Sequence, residues 1–249
     1  MRWIAVIYLA MTSLLYAQEA SFQFEQANQL YRNGDFQKSA QMYEQIIKNG
    51  YESPAIYYNL GNSYFKLRNI PAAILNFERA KRLLPNDEDI SYNLRLTNLK
   101  IIDKIEPVPQ LFFINWWYSF VNLFSSDNWA VSGIILMWLT AIGYVILYLG
   151  HNLILQRITF ILTVLIFLTS VLTFVGMYQR YQIEHNEQAA IVFSQTVSVK
   201  SAPDFQSVDL FVLHEGVKLE FLDAVGEWRK IRLADGKIGW LMIKDVQVI

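Results

Sequence analysis

The side chains best suited to recognition chemistry recur at one spacing. Phe24, Asn28, Tyr31 and Arg32 are followed 34 residues later by Tyr58, Asn62, Phe65 and Lys66, so aromatic, amide, aromatic and cation occur twice in the same order. Offsets of i, i+4, i+7 and i+8 place each set on one stripe of an α-helix. Such a stripe offers apolar platforms, amides able to bond a peptide backbone and a cation for an acidic group, which is the chemistry of holding an extended polypeptide. A third set, Tyr92, Leu96, Leu99 and Lys100, keeps only the outer aromatic and the cation, which confines the polar part of the surface to the first two. The aromatics have a competing use: Tyr31 and Phe65 serve equally well as packing between helices. The two amides are harder to explain by packing.

Reaction chemistry finds far less to work with. The chain has three histidines, His151, His185 and His214, and no cysteine, which excludes thiol nucleophiles, disulfides, iron-sulfur clusters and cysteine-based zinc sites. No motif for phosphate, dinucleotide or metal binding is present. His214 and Glu215 are adjacent, but neighbours on a strand point to opposite faces and cannot cooperate. The expectation is a non-enzymatic protein without metal or cofactor. A formal charge of -1 also excludes generic nucleic-acid binding.

The elements that carry these residues are not all water-soluble. Of 249 residues, 53% are hydrophobic and 17% charged, and between Asn128 and Gln179 the only charged residue is Arg157. Two spans are expected, at 129–149 and 158–178, each about 20 residues and so able to cross a hydrocarbon core of about 30 Å. The short connection from Gly150 to Arg157 makes them a hairpin, so the flanking segments share one side of the membrane. Residues 1–17, with Arg2, an apolar run from Trp3 and an Ala17 end, read as a cleaved signal peptide; the competing reading is an uncleaved anchor. Either one exports the repeat-bearing segment after it, and the expected location is the bacterial inner membrane with both flanking segments in the periplasm. Before the first span, 107–128 holds seven aromatics in the fifteen residues from Gln110 to Phe124. Phe112, Phe113, Trp116 and Trp117 are expected at the membrane surface, where amphipathic rings favour the headgroup level. The alternative is a docking surface for another membrane subunit.

Self-comparison over 20–104 returns the period of 34. Tyr57, Leu60, Gly61, Tyr64, Ala73, Phe77, Ala80 and Pro85 stand at the small and large positions of a tetratricopeptide (TPR) repeat. The chain resembles that family specifically here, with a weaker copy upstream (Ala27, Ser39, Tyr43) and a capping helix over Glu88 to Lys104. Small residues let the paired helices approach, and Pro85 stops the second. The resemblance implies that the three stripes line an inner groove, and Phe24, Asn28, Tyr31, Arg32, Tyr58, Asn62, Phe65, Lys66, Tyr92 and Lys100 are its expected partner-binding residues. The family's carboxylate-clamp version would use Asn28 and Asn59, both present, and would place cations at Phe24 and Asp89. Their absence favours an internal segment of a partner.

From 189 to 249 the pattern turns to short alternating segments, including Thr196 to Lys200, Lys218 to Leu222, Trp228 to Leu233 and Ile238 to Met242. Val197 to Pro203, Gly216, Asp235-Gly236 and Gly239-Trp240 resemble the bacterial SH3-type barrel. Trp228 and Trp240 read more readily as barrel core than as a ligand platform, and they are the candidate residues of an SH3-type ligand surface if the module has one.

The order of segments adds a resemblance of its own: signal, repeats, Phe112-Phe113-x-x-Trp116-Trp117, hairpin and a β module ending in Val248-Ile249. The chain is similar to the BatE-type proteins of the aerotolerance-operon (Bat) family. That resemblance implies a multidomain membrane protein with all-α TPR repeats, a two-helix transmembrane hairpin and an all-β SH3-like barrel. It also implies partners: Bat proteins with von Willebrand factor A domains, a BatD-type protein and, indirectly, a MoxR-type ATPase. The competing functional reading is an envelope sensor whose β module binds cell-wall peptides. A cytochrome-assembly role, by analogy with other TPR membrane proteins, has no haem-ligating arrangement behind it.

Overall fold

The computed structural model describes residues 18–185 and 189–249. The signal peptide expected over 1–17 lies outside them. The described chain divides into two compact units, one of 18–108 with 189–249 and one of 109–185.

In the first unit, α1 (18–32) and α2 (Phe36–Lys48) form one helical pair and α3 (Pro54–Lys66) and α4 (Ile70–Leu83) the next, followed by α5 (Glu88–Asn98). Each of α2 to α5 starts on a side chain that satisfies an otherwise orphaned amide: Asp35 accepts from Lys38 N, Ser53 from Ile56 N, Asn69 from Ala72 N and Asp87 from Ile90 N. Pro54 and Pro71 sit in first turns, where no amide is missed. The turn inside each pair needs a left-handed residue, and Gly34 (φ 82) and Arg68 (φ 62) supply it at the same repeat position. Gly61 brings α3 against α4: a Cβ there would lie 2.8 Å from the Phe77 ring. α5 ends sooner than the expected cap over Glu88 to Lys104. The chain leaves the helix at Leu99 and runs to the sheet, where Asp103 accepts from His214 N at 2.7 Å and Val108 N donates to Ala234 O at 3.0 Å.

The C-terminal region is a seven-stranded antiparallel sheet: β1 (Ala189–Val192), β2 (Thr196–Lys200), β3 (Asp209–His214), β4 (Lys218–Val225), β5 (Trp228–Arg232), β6 (Ile238–Met242) and β7 (Val246–Val248). The order is β3-β2-β6-β5-β4-β1-β7, so the expected closed barrel is not formed and β3 and β7 are edges. One physical reason lies at the β7 edge. Arg79 and Arg82 of α4 donate to Val248 O (2.7 Å) and Ile249 O (2.5 Å), and Ile191 and Ile249 enter one apolar cluster with Ala73, Ile74, Leu75, Phe77 and Leu94. A sheet edge must be paired, covered or blunted, and here a helix of the second repeat covers it. Lys218 and Glu78 add an ion pair at 2.7 Å. The sheet's own core is aliphatic, built on Val192, Val199, Leu219, Ile231 and Leu241.

The second unit holds α6 (Phe112–Val121), α7 (Ser126–Leu149) and α8 (Leu153–His185). Both α7 and α8 are long and apolar enough to cross a membrane. They form an antiparallel hairpin, with Ser170 Oγ donating to Gly133 O at 3.3 Å across it. α8 extends past the span expected at 158–178 in both directions. Asn152 Oδ1 caps its start, accepting from Ile154 N at 3.0 Å, and no glycine or proline interrupts Gln179 to His185. Near its end Arg180, only 1% exposed, pairs with Glu184 at 2.9 Å and donates to Asn122 Oδ1 at 3.1 Å. Ser126 Oγ donates to Glu184 in turn, so a partly buried polar cluster of Asn122, Ser126, Arg180 and Glu184 holds the turn between α6 and α7.

Candidate protein-binding face

The helices α1, α3 and α5 carry the three recurring stripes, and cross-helix hydrogen bonds tie them together. Tyr43 OH (2.6 Å) and Asn59 Nδ2 (2.9 Å) both donate to Asn28 Oδ1. One repeat on, Asn93 Nδ2 donates to Asn62 Oδ1 (3.0 Å) and to Tyr58 OH (2.9 Å). Each pair joins the first helices of neighbouring units at a separation of 31 residues. Both stripe amides therefore commit their oxygens to helix stacking. Asn28 also commits its nitrogen, donating to Glu25 at 2.9 Å. Below them, Ser39 Oγ donates to Ala27 O at 3.0 Å and lies 3.3 Å from Ser63 Oγ, so the close approach of the helices leaves no orphaned hydroxyl.

Asn28, Tyr31, Arg32, Tyr43, Asn59 and Asn62 line a concavity of about 100 Å³ between α1 and α3. All six end in polar groups, and the Tyr43 phenol is pushed up to about 12, mainly by burial. Burial also raises the Tyr31 phenol, with Tyr58 adding to the effect, so both hydroxyls keep their protons at neutral pH.

The remaining stripe residues differ in their availability. Phe24 packs at 5.8 Å from the Tyr43 ring, Tyr31 edge-on to Phe36 at 5.2 Å, and Phe65 is half-buried against the cluster that holds Phe77. Tyr58 is half-buried beside Phe77, at 5.9 Å. Tyr92 is 59% exposed. Arg32 makes a long, exposed contact with Glu25 at 3.5 Å. Lys66 and Lys100 are exposed and have no ion pair among the described residues. Tyr43, Asn59 and Asn93 are the members that the stripe pattern passes over, although Asn59 and Asn93 themselves stand 34 residues apart.

In the second unit, Phe112, Phe113 and Trp116 are exposed on α6, Trp116 at 78%, while Trp117 turns inward and donates from Nε1 to Gln179 Oε1 at 2.6 Å. On the sheet, Trp228 and Trp240 are half-buried. Strand alternation puts them on the face opposite Ile231 and Leu241, with Phe205 edge-on to Trp228 at 5.1 Å. This corrects the expectation of barrel core. Aliphatic side chains fill that core, and the indoles lie on the other surface.

Comparison with known families places residues 24–88 in a match to the tetratricopeptide repeat. Comparison with curated proteins and with solved structures gave no match.

Proposed function

We propose that this chain is a non-enzymatic, membrane-anchored scaffold that presents the concave face of its repeats to a partner protein. The observation that carries the reading is the tetratricopeptide match over 24–88 together with the stripe on α1, α3 and α5, since stacks of this kind bind polypeptide on that face. The apolar helices α7 and α8 support anchoring. Their ends both lead back into the unit of repeats and sheet, which supports placing the repeats and the sheet on one side of the bilayer. The order of segments supports a periplasmic, BatE-type member of a Bat complex, with von Willebrand factor A-domain proteins, a BatD-type protein and, from the cytoplasm, a MoxR-type ATPase.

A photo-crosslinking residue at Tyr92 tests the reading in cells. The expected product joins the chain to a membrane protein with a von Willebrand factor A domain, and the same probe at the outward Gln41 gives none. Equal products from both positions would overturn it. The absence of cysteine allows single Cys labels at Lys66 and Asn152 to report sidedness with an impermeant maleimide; labelling of Asn152→Cys but not Lys66→Cys would reverse the orientation.

The outward indoles favour one alternative, an envelope sensor with an SH3-type surface for cell-wall peptides at Trp228, Trp240 and Phe205. Quenching of tryptophan fluorescence by purified wall fragments, lost in Trp228→Ala, is its expected signature.

A further inference from the structure

Arg32, Lys66 and Lys100 stand at intervals of 34 residues, each at or just past the C-terminal end of α1, α3 or α5. The stacking of these helices makes them one row along one rim of the concave face. Little internal charge answers them: Glu25 reaches only Arg32, and Lys66 and Lys100 have no ion pair among the described residues. Carboxylates gather at the opposite end, where Asp87, Glu88 and Asp89 form the start of α5. The face is thus cationic along one rim and acidic at the other end of α5.

The concavity between α1 and α3 adds a second, independent bias. Asn28 Oδ1 and Asn62 Oδ1 are already accepting from Asn59 and Asn93, and Tyr58 OH already accepts from Asn93. The groups left for a ligand there are Asn62 Nδ2, the Arg32 guanidinium, the Tyr31 hydroxyl and the amide oxygen of Asn59, so donors outnumber the one amide acceptor. An ionised carboxylate only accepts, so it matches both the donors and the cations.

We infer that the concave face takes an extended, Asp/Glu-rich segment of a partner protein, its carboxylates spaced along the Arg32–Lys66–Lys100 row and one of them reaching Asn62 and Tyr31. This inference rests on the scaffold reading and specifies the partner's chemistry. A flat anionic membrane surface would meet the cations but not the recessed donors, which is why a polypeptide segment is the occupant.

The test uses the full chain in detergent micelles and a fluorescein-labelled twelve-residue peptide of alternating Glu and Gly. Anisotropy should report binding that weakens at least tenfold in Lys66→Glu/Lys100→Glu, weakens as salt rises from about 50 to 300 mM, and is at least tenfold weaker for the Gln/Gly peptide. Asn62→Asp, which puts a carboxylate among the donors, should weaken it as well. Both lysines are exposed, so unchanged far-ultraviolet circular dichroism is expected, and Lys66→Gln/Lys100→Gln gives an intermediate loss if charge is the cause. Equal binding of Glu and Gln peptides overturns the inference. So does lysine-dependent binding to vesicles of one-third anionic lipid in the absence of peptide binding. If the inference fails while the Tyr92 crosslink persists, the scaffold stands and only the partner's charge is wrong; loss of the crosslink removes both.

Discussion

Helices α2 and α4 hold the same place in successive repeats, yet they are buried differently. α2 buries one stripe, Ser39, Ala40, Tyr43 and Ile46, as a helix with one packed face does. α4 is buried without a break from Pro71 to Phe77. Its extra face is covered by the sheet through Ile191, Ile249 and the two arginine contacts. The difference is written at the repeat spacing: Lys38 and Gln41 of α2 become Ala72 and Leu75 of α4. A polar position that turns apolar in only one of two repeats marks where that repeat docks onto something else. Here the something else is the chain's own sheet, so repeats and sheet form one body rather than two independent modules.

Leu75 gives the sharpest way to break this comparison. It is 3% exposed, and Leu75→Lys strands a charge in the shared cluster, with an expected loss of about 3 kcal/mol. Gln41→Lys, at the equivalent exposed position, is expected to stay within about 0.5 kcal/mol. Urea titration of the full chain in detergent, followed by tryptophan fluorescence, separates the two. Equal midpoints would mean that α4 has no second packed face in solution.

A smaller effect is expected at the polar edge of the same junction. Arg79→Ala/Arg82→Ala removes two guanidinium donors from the Val248 and Ile249 carbonyls, and the Arg79 guanidinium from above the Tyr57 ring at 5.7 Å. Hydrogen bonds from charged groups at partly buried sites put the loss at about 2 kcal/mol. Hydrogen exchange should quicken at β7 and β1 while α2 keeps its protection. Unchanged exchange at Val246 to Val248 would show that the sheet edge needs no help from the repeat.

How much of this was legible from the residues depends on the distance over which they act. Gly61, Ala73 and Phe77 announce the helix pair because their contacts lie within one repeat. The ranges of β2 and β6 follow from alternation, which is also local. The open sheet was not legible, since its β7 edge is covered by arginines about 170 residues earlier in the chain. The amide ladder was half legible: Asn28 and Asn62, like Asn59 and Asn93, recur at the repeat period, but which amide meets which, 31 residues on, is set by how the helices stack. Trp228 and Trp240 were misread through residue type, because large aromatics are usually buried. Alternation with Ile231 and Leu241 carried the better answer.

The turn between paired helices sharpens the comparison of the repeats at its lowest energy. Gly34 and Arg68 share a position and a left-handed backbone, but only glycine adopts it without steric cost. Arg68→Gly relieves about 1–2 kcal/mol of strain. It also gives the unfolded chain more freedom, which offsets about 0.4–1 kcal/mol of that gain. The expected net is a stabilisation of about 0.5 kcal/mol, and Gly34→Arg should cost about as much. Both residues are exposed, and a Cβ at Gly34 would meet nothing within 4 Å, so the backbone alone decides the outcome. Paired urea midpoints moving in opposite directions by similar amounts would show that the two repeats share one turn and differ only in its backbone strain. A destabilised Arg68→Gly would mean that the arginine side chain supports the turn by contacts worth more than its strain.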